Sequence, residues 1–331
     1  MTALTDPVLG LEVPDQVTYF KEMLRVNVTT GKMLRGNAVL QSLLCIRREP
    51  ETQLLLTAHA VGWAFEVMQA ALLMADDIMD GSVTRRGKPC WYKLPEIGMM
   101  AVNDVISLQT AVYELLTRFA KWHPEYQTLV DLLTACFRLT VMGQSLDAMT
   151  SPREGRRPDL ALMTEARYAT IAKYKTSYYT FSHPIRAGLY LARVTEERVH
   201  REAEEILIQI GTFFQQQDDF LDCFGDPEVT GKIGRDIEDG KLCWPLLTAL
   251  SSADATQVAL LQRDYGCEDA AAVARVKQLY ADLGVREAYA GFEEREFLRL
   301  SGLIDAFAER HPHIPRRIFS HYLDLLFKRN K

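Results

Sequence analysis

The chain has 331 residues with 38 Lys and Arg against 44 Asp and Glu, and its formal charge of −6 leaves no basic footprint for nucleic acid. With 48% hydrophobic and 25% charged residues it can bury a sizeable core, and no Pro/Gly/Ser-rich linker divides it, so a single domain over 1–331 is expected. Six cysteines (Cys45, Cys90, Cys136, Cys223, Cys243, Cys267) show neither CxxC nor CxH spacing, which argues against a zinc or disulfide framework and fits reduced thiols in the cytoplasm.

In chain order, the first basic residue is Lys21, after Asp6, Glu12 and Asp15, the opposite of a secretory or Arg-rich transit leader. A basic cluster follows at Gly31-Lys32-Met33-Leu34-Arg35-Gly36 and a break at Glu49-Pro50. Leu54 to Ala75 is apolar and long enough to raise the question of a membrane span, but Glu66 and Gln69 lie inside it and His59 near its start. The reading is a central helix enclosed by protein, with no transmembrane segment. It runs into Asp76-Asp77-Ile78-Met79-Asp80, then Thr84-Arg85-Arg86-Gly87 and a break at Lys93-Pro95. Helical spacing of apolar residues recurs over 104–121, 126–150, 197–220 and 270–299, with breaks at 151–158, Gly225-Pro227 and His311-Pro315. Strand-like alternation is nearly absent. About ten helices of ordinary length are expected, arranged as an all-α, single large antiparallel bundle with a central cavity.

A second acidic cluster, Asp218-Asp219-Phe220-Leu221-Asp222, repeats the spacing of the first. In each the i, i+4 pair (Asp76 with Asp80, Asp218 with Asp222) lies on one helix face, where like charges destabilise the helix unless something neutralises them. Mg2+ does so with oxygen ligands and fills its shell with water and phosphate oxygens. One such cluster alone would as readily mark a solvated face; two within Leu, Met, Ala and Phe surroundings favour metal. The two are expected to face one cavity and grip one polyphosphate. The basic clusters, including Lys173-Tyr174-Lys175-Thr176, are phosphate-binding candidates, although each taken singly is more often a solvated patch. The stretch ending Gly231-Lys232-Ile233 is no Walker A loop, because five residues separate its glycines and Ile233 replaces the required Ser or Thr. His311-Pro312-His313 reads as a surface turn.

The ordered set GKMLRG, EVMQAALLMADDIMDGSVTRRGKPCWY, GQSLD, KYKTSYYTF, QQQDDFLDCFGDPEVTGKIGRDIEDGK and a basic C-terminus resembles the trans-isoprenyl diphosphate synthases, most closely the eukaryotic farnesyl diphosphate synthase type. The resemblance implies an all-α homodimer with three Mg2+ ions, for which Mn2+ would substitute. It makes Asp76, Asp80 and Asp218 the firmest metal ligands, with Asp77, Asp219 and Asp222 near or in the shell. Arg85, Lys175, Lys232 and Asp236 would engage the allylic diphosphate; Lys32, Arg35, Gln69, Arg86 and C-terminal residues such as Arg329 would hold isopentenyl diphosphate. Lys175, Thr176 and Gln215 would steady the carbocation.

Three positions depart from that pattern. Where farnesyl synthases of this type carry bulky aromatics five and four residues before the first Asp, this chain has Ala71 and Leu72. A smaller floor would admit another isoprene unit of roughly 5 Å, close to one helical turn of about 5.4 Å, so products of C20 or longer are expected. An ordinary C15 synthase with its floor elsewhere, for example at Phe137, is the alternative. Leu34 also replaces a polar residue inside the GKxxRG motif. A terpene cyclase would not need Lys32, Arg35 and Arg86, and a non-catalytic subunit would not need both acidic clusters.

Overall fold

The structure, a computed structural model, describes residues 12–152, 157–230 and 233–327. Fourteen α-helices can be followed among these residues: α1 Pro14–Asn27, α2 Leu34–Ile46, α3 Thr52–Met79, α4 Ala101–Phe119, α5 Tyr126–Thr150, α6 Glu165–Ile171, α7 His183–Leu191, α8 Glu197–Phe224, α9 Pro227–Thr230, α10 Trp244–Ser252, α11 Ala255–Asp264, α12 Ala270–Asp282, α13 Val285–Arg310 and α14 Arg317–Leu326. A π-helical segment, Ala172–Ser182, joins α6 to α7, and the only sheet among the described residues pairs β1 Thr84–Arg85 with β2 Lys88–Pro89. The all-α class expected from the periodicity is the class observed. The expected 270–299 helix is two, because the chain turns at Leu283 and at Gly284, whose φ of 64° suits a residue without a Cβ.

The chain forms two compact units. Unit 1 holds the described residues up to Arg138 with Tyr179–Glu204 and His313–Ile318; unit 2 holds the described residues within Leu139–Tyr178, within Glu205–Pro312 and from Phe319 to Phe327.

Unit 1 is built around α3. Its Phe65 and Met68 are fully buried among Met23 of α1, Leu43 of α2 and Leu108 of α4. Each such side chain contributes about 1.5–3 kcal/mol by leaving water. The helices approach closely at glycines: a Cβ on Gly62 would stand 2.9 Å from the carbonyl oxygen of Gly36, so α2 and α3 meet backbone to backbone. Both α3 and α5 are long and apolar enough to cross a membrane by length and composition, but 67% of the α3 window is buried inside the protein, as its Glu66 and Gln69 led one to expect.

Unit 2 has an aromatic core. Phe220 of α8 stacks on Tyr289 of α13 at 3.7 Å between centroids, and Trp244 of α10 meets Tyr289 edge-on at 5.4 Å. Tyr265 and Tyr280 are fully buried beside them.

Candidate active site

The first acidic cluster occupies the last turn of α3 and its C-cap, Asp80. Asp76 and Asp80 are half-buried, whereas Asp77 between them is buried. What holds Asp77 is the β1–β2 hairpin. Its turn places Arg86 and Gly87 at φ 54° and 72°, the left-handed pair that a two-residue hairpin requires. That turn sends Arg85 back onto the helix, where Nε and Nη2 donate to Asp77 Oδ1 at 2.8 and 2.6 Å and Nη2 donates to Asp76 Oδ2 at 3.2 Å. Burial works against the Arg85 charge, but the Asp77 and Asp76 carboxylates outweigh it and hold the guanidinium above its ordinary value. Arg85, expected on a diphosphate, is thus also the clamp that orients the cluster.

The same hairpin brings Arg86 to the Thr30–Lys32 turn. Arg86 Nη1 donates to Thr30 Oγ1 at 2.9 Å, and its guanidinium lies so close over Gly31 that a Cβ there would stand 2.9 Å from Nη2. Lys32 is exposed in this turn, just before α2. Arg35, in the first turn of α2, is buried, donates to Thr180 Oγ1 at 2.7 Å and stacks 4.2 Å from the Tyr179 ring centroid. Gln69 on α3 keeps a buried Oε1 without a hydrogen-bond partner among the described residues. Lys32, Arg35, Gln69 and Arg86 are therefore all in unit 1. Ala71 is fully buried in the unit 1 core and Leu72 packs against it from a half-buried position; Phe137 is buried in the same core.

Unit 2 carries the second cluster on α8, with the same division: Asp218 and Asp222 half-buried, Asp219 buried. Asp219 Oδ2 accepts from Tyr168 OH at 2.6 Å and from the Trp244 amide at 2.9 Å, and Oδ1 accepts from Gln215 Nε2 at 2.8 Å. Burial pushes the Asp219 carboxyl upward against these three donors. Asp222 Oδ1 accepts from the Asp236 amide at 3.0 Å, which ties the 233–243 loop to the cluster. At Gly234 this loop comes so close that a Cβ would lie 2.7 Å from Asp222 Oδ1. The i, i+4 pairs are thus partly exposed, while the middle residues are buried against protein donors. That donor set, all oxygen and half-exposed, fits a hard divalent cation. Among the described residues no three His, Cys, Asp or Glu gather as a ready-made cage, so Mg2+ here would complete its shell with water and phosphate oxygens.

Lys175 and Thr176 lie on the π-helical segment. In a π turn the backbone bonds to the fifth residue back, and Ser177 Oγ likewise donates to the Ala172 carbonyl at 3.0 Å. Two glycines let neighbouring helices close on it. A Cβ on Gly143 of α5 would meet the Lys175 backbone, 2.7 Å from its Cα, and one on Gly211 of α8 would stand 2.5 Å from Ser177 Cα. Thr176 Oγ1 donates to Gln215 Oε1, so Thr176, Gln215, Asp219 and Tyr168 form one hydrogen-bonded chain. Lys175 Nζ donates to Asp147 Oδ2 at 2.7 Å, and Lys241 Nζ reaches the same oxygen at 3.2 Å.

Asp147, Lys241 and Tyr168 are additions to the residues expected from sequence. Asp147 lies within the GQSLD motif, but nothing in a linear pattern says which lysines it meets. Lys232 and Arg329 lie outside the described residues.

The chain as a whole is similar to known proteins. Residues 17–283 match the family model described as Polyprenyl synthetase. The chain is 41% identical to the farnesyl pyrophosphate synthase of Rattus norvegicus over 99% of this chain and 92% of the relative, and 40% identical to that of Homo sapiens over 99% and 78%. The farnesyl diphosphate synthase of T. brucei, solved in complex with a bisphosphonate, superimposes with a TM-score of 0.89 at 31% identity, covering 97% of this chain and 95% of that one.

Proposed function

The chain belongs to the polyprenyl synthetase family, and from that premise we infer that it is a trans-prenyltransferase of the farnesyl diphosphate synthase type. It condenses isopentenyl diphosphate with an allylic diphosphate, head to tail, and releases pyrophosphate. The observation that carries this reading is the repeated arrangement of the two Asp clusters, with half-buried i, i+4 carboxylates flanking a buried middle Asp fixed by protein donors.

The reaction breaks the C1–O bond of the allylic diphosphate, and the electron pair leaves with pyrophosphate. The family generally uses Mg2+, which supplies Lewis-acid stabilisation of that charge when bound. Asp76, Asp80, Asp218 and Asp222 would hold three such ions, with Mn2+ as a substitute. Arg85 keeps the first cluster oriented, and the 233–243 loop braces the second. Lys175 adds positive charge for the leaving group, as would Lys232, and Asp236 would help to engage or orient the allylic diphosphate. The hydroxyl of Thr176, which donates a hydrogen bond to Gln215 Oε1, presents lone pairs suited to a carbocation. Arg35, Arg86, Lys32 and Gln69 are suited to the second diphosphate, with Arg329 completing the set. The new carbon–carbon bond forms from the isopentenyl double bond to C1, and the proton then lost passes to the departing pyrophosphate. Apolar walls must keep water away until that bond exists.

The enzyme is proposed to act as a cytoplasmic homodimer. Six cysteines without CxxC or CxH spacing support a reducing compartment, and exposed Leu56, Trp63, Val102 and Ile106 on α3 and α4 support a buried face in the assembly.

A second reading concerns product length. Ala71 and Leu72 supply no ring, which favours products of C20 or longer; the curated relatives are named for C15. Mass spectrometry of products from isopentenyl diphosphate with dimethylallyl, geranyl or farnesyl diphosphate in Mg2+ tests both readings. Elongation of the farnesyl primer supports an open floor, which Ala71→Phe should close. Accumulation of C15 with that primer untouched assigns an ordinary farnesyl synthase. No turnover of any primer would overturn the transferase reading.

A further inference from the structure

The Gly143–Asp147 segment of α5 contributes no ligand to the chemistry above, yet it carries a buried carboxylate one helical turn from a glycine pressed against the Lys175 backbone. Asp147 is 5% exposed. Its Oδ2 accepts from two ammonium groups, Lys175 Nζ at 2.7 Å from the π-helical segment and Lys241 Nζ at 3.2 Å from the 233–243 loop. Burial disfavours the Asp147 anion, but the two lysines outweigh it and hold its carboxyl below the ordinary carboxylate range. Both lysine side chains are more exposed than the carboxylate, 26% and 13% against 7%.

The group has two positive charges on one negative charge. An ammonium has three N–H donors, and one bond to Asp147 does not exhaust it. Two cations converging on one oxygen repel each other, and the carboxylate offsets that repulsion. A diphosphate is the anion whose several oxygens match such a pair. A further buried donor, Gln144 Nε2, adjoins Gly143 and has no hydrogen-bond partner.

We propose that Asp147 is a positioning residue for prenyl transfer, a buried anchor that holds the ammonium groups of Lys175 and Lys241 side by side so that both meet the allylic diphosphate. The proposal rests on the transferase reading and names the residue that arranges its cationic side. Gly143 belongs to the same device, because it sets the distance between α5 and the segment that carries Lys175.

The test uses the purified full-length enzyme in Mg2+ and compares wild type with Asp147→Asn, Lys241→Gln and the double variant. Steady-state kinetics vary geranyl and isopentenyl diphosphate separately, and calorimetry measures binding of inorganic pyrophosphate. In Asp147→Asn the KM for geranyl diphosphate should rise about tenfold to a hundredfold, the usual cost of losing an orienting partner, while the KM for isopentenyl diphosphate holds. Pyrophosphate should weaken in parallel. Adding Lys241→Gln to Asp147→Asn should recover part of the loss by removing the unshielded repulsion, a sign that a merely structural role would not give. An unchanged geranyl KM in folded Asp147→Asn, equal changes in both KM values, or no recovery in the double variant would overturn the proposal. If Asp147→Asn does not fold, Lys241→Gln alone decides: a selective rise in geranyl KM supports the pair and no change overturns it. A wild type that turns over no substrate would instead overturn the transferase reading, and pyrophosphate calorimetry would still judge Asp147.

Discussion

Replacing Gly143 by Ala probes how closely α5 must approach the π-helical segment. In the interior of an exposed helix this substitution stabilises, by roughly 0.5–1 kcal/mol, because Ala loses less conformational freedom on folding. Here the added Cβ would stand 2.5 Å from the Tyr174 carbonyl carbon and 2.7 Å from Lys175 Cα, and nearer still to the Lys175 amide nitrogen. Carbon atoms rest at about 3.5–4.0 Å, so the two backbones must part by roughly 1 Å. Overpacking of this kind costs about 1–3 kcal/mol, which reverses the sign of the helix-propensity gain. A misplacement of about 1 Å at a reacting group costs on the order of 100-fold in rate, and Lys175 and Thr176 are the groups displaced. The assay is initial-rate pyrophosphate release with geranyl and isopentenyl diphosphate, beside thermal unfolding. Gly302→Ala is the control: it lies on α13 with nothing within 4 Å of its added Cβ, and it should leave kcat unchanged and raise Tm slightly. A Gly143→Ala enzyme with wild-type kcat and a Tm equal to or above wild type would refute the backbone contact.

His200 is buried, stacks on Tyr190 at 3.8 Å and donates from Nε2 to the Val194 carbonyl at 2.8 Å, and burial lowers its pKa from 6.5 to about 4. Its stabilising contribution is therefore full above about 6.5 and lost as pH falls through 4, about 3 kcal/mol in all. Urea titrations of wild type and His200→Phe should differ by that much less at pH 4 than at pH 7, and parallel curves would contradict the assignment. Arg85→Lys removes the two-pronged grip on Asp77, so the Mg2+ concentration for half-maximal activity should rise about tenfold to a hundredfold; an unchanged Mg2+ requirement would show that the clamp is dispensable. Gln217, fully buried on α8, donates to Glu293 at 3.0 Å and to the Leu326 carbonyl at 2.8 Å, so Gln217→Leu should cost about 1–3 kcal/mol and speed amide exchange in α14. Unaltered exchange there would mean that the helix end is held by other contacts.

Much of this was legible in the sequence because it rests on local rules. A period near 3.6 specifies helices whatever they pack against, so α5 runs over the expected 126–150 and α3 over the apolar run before Asp76. Carboxylates at i and i+4 share a face by helix geometry alone, and the half-buried Asp76 with Asp80, and Asp218 with Asp222, follow from spacing. The turn at Gly284 could be missed because an apolar pattern continues across it while the backbone changes direction.

Only tertiary structure decided how the middle aspartates are used. Asp77 and Asp219 look like their neighbours in the sequence, yet one is consumed by Arg85 and the other by Tyr168, Gln215 and the Trp244 amide. The hairpin that returns Arg85, the π-helical register that places Lys175 and Thr176, and the meeting of Lys175 and Lys241 on Asp147 depend on residues far apart in the chain. Periodicity reports which face of a helix is buried. It carries no term for what that face is buried against, and a hydrogen bond between distant residues exists only once packing has brought its donor to its acceptor.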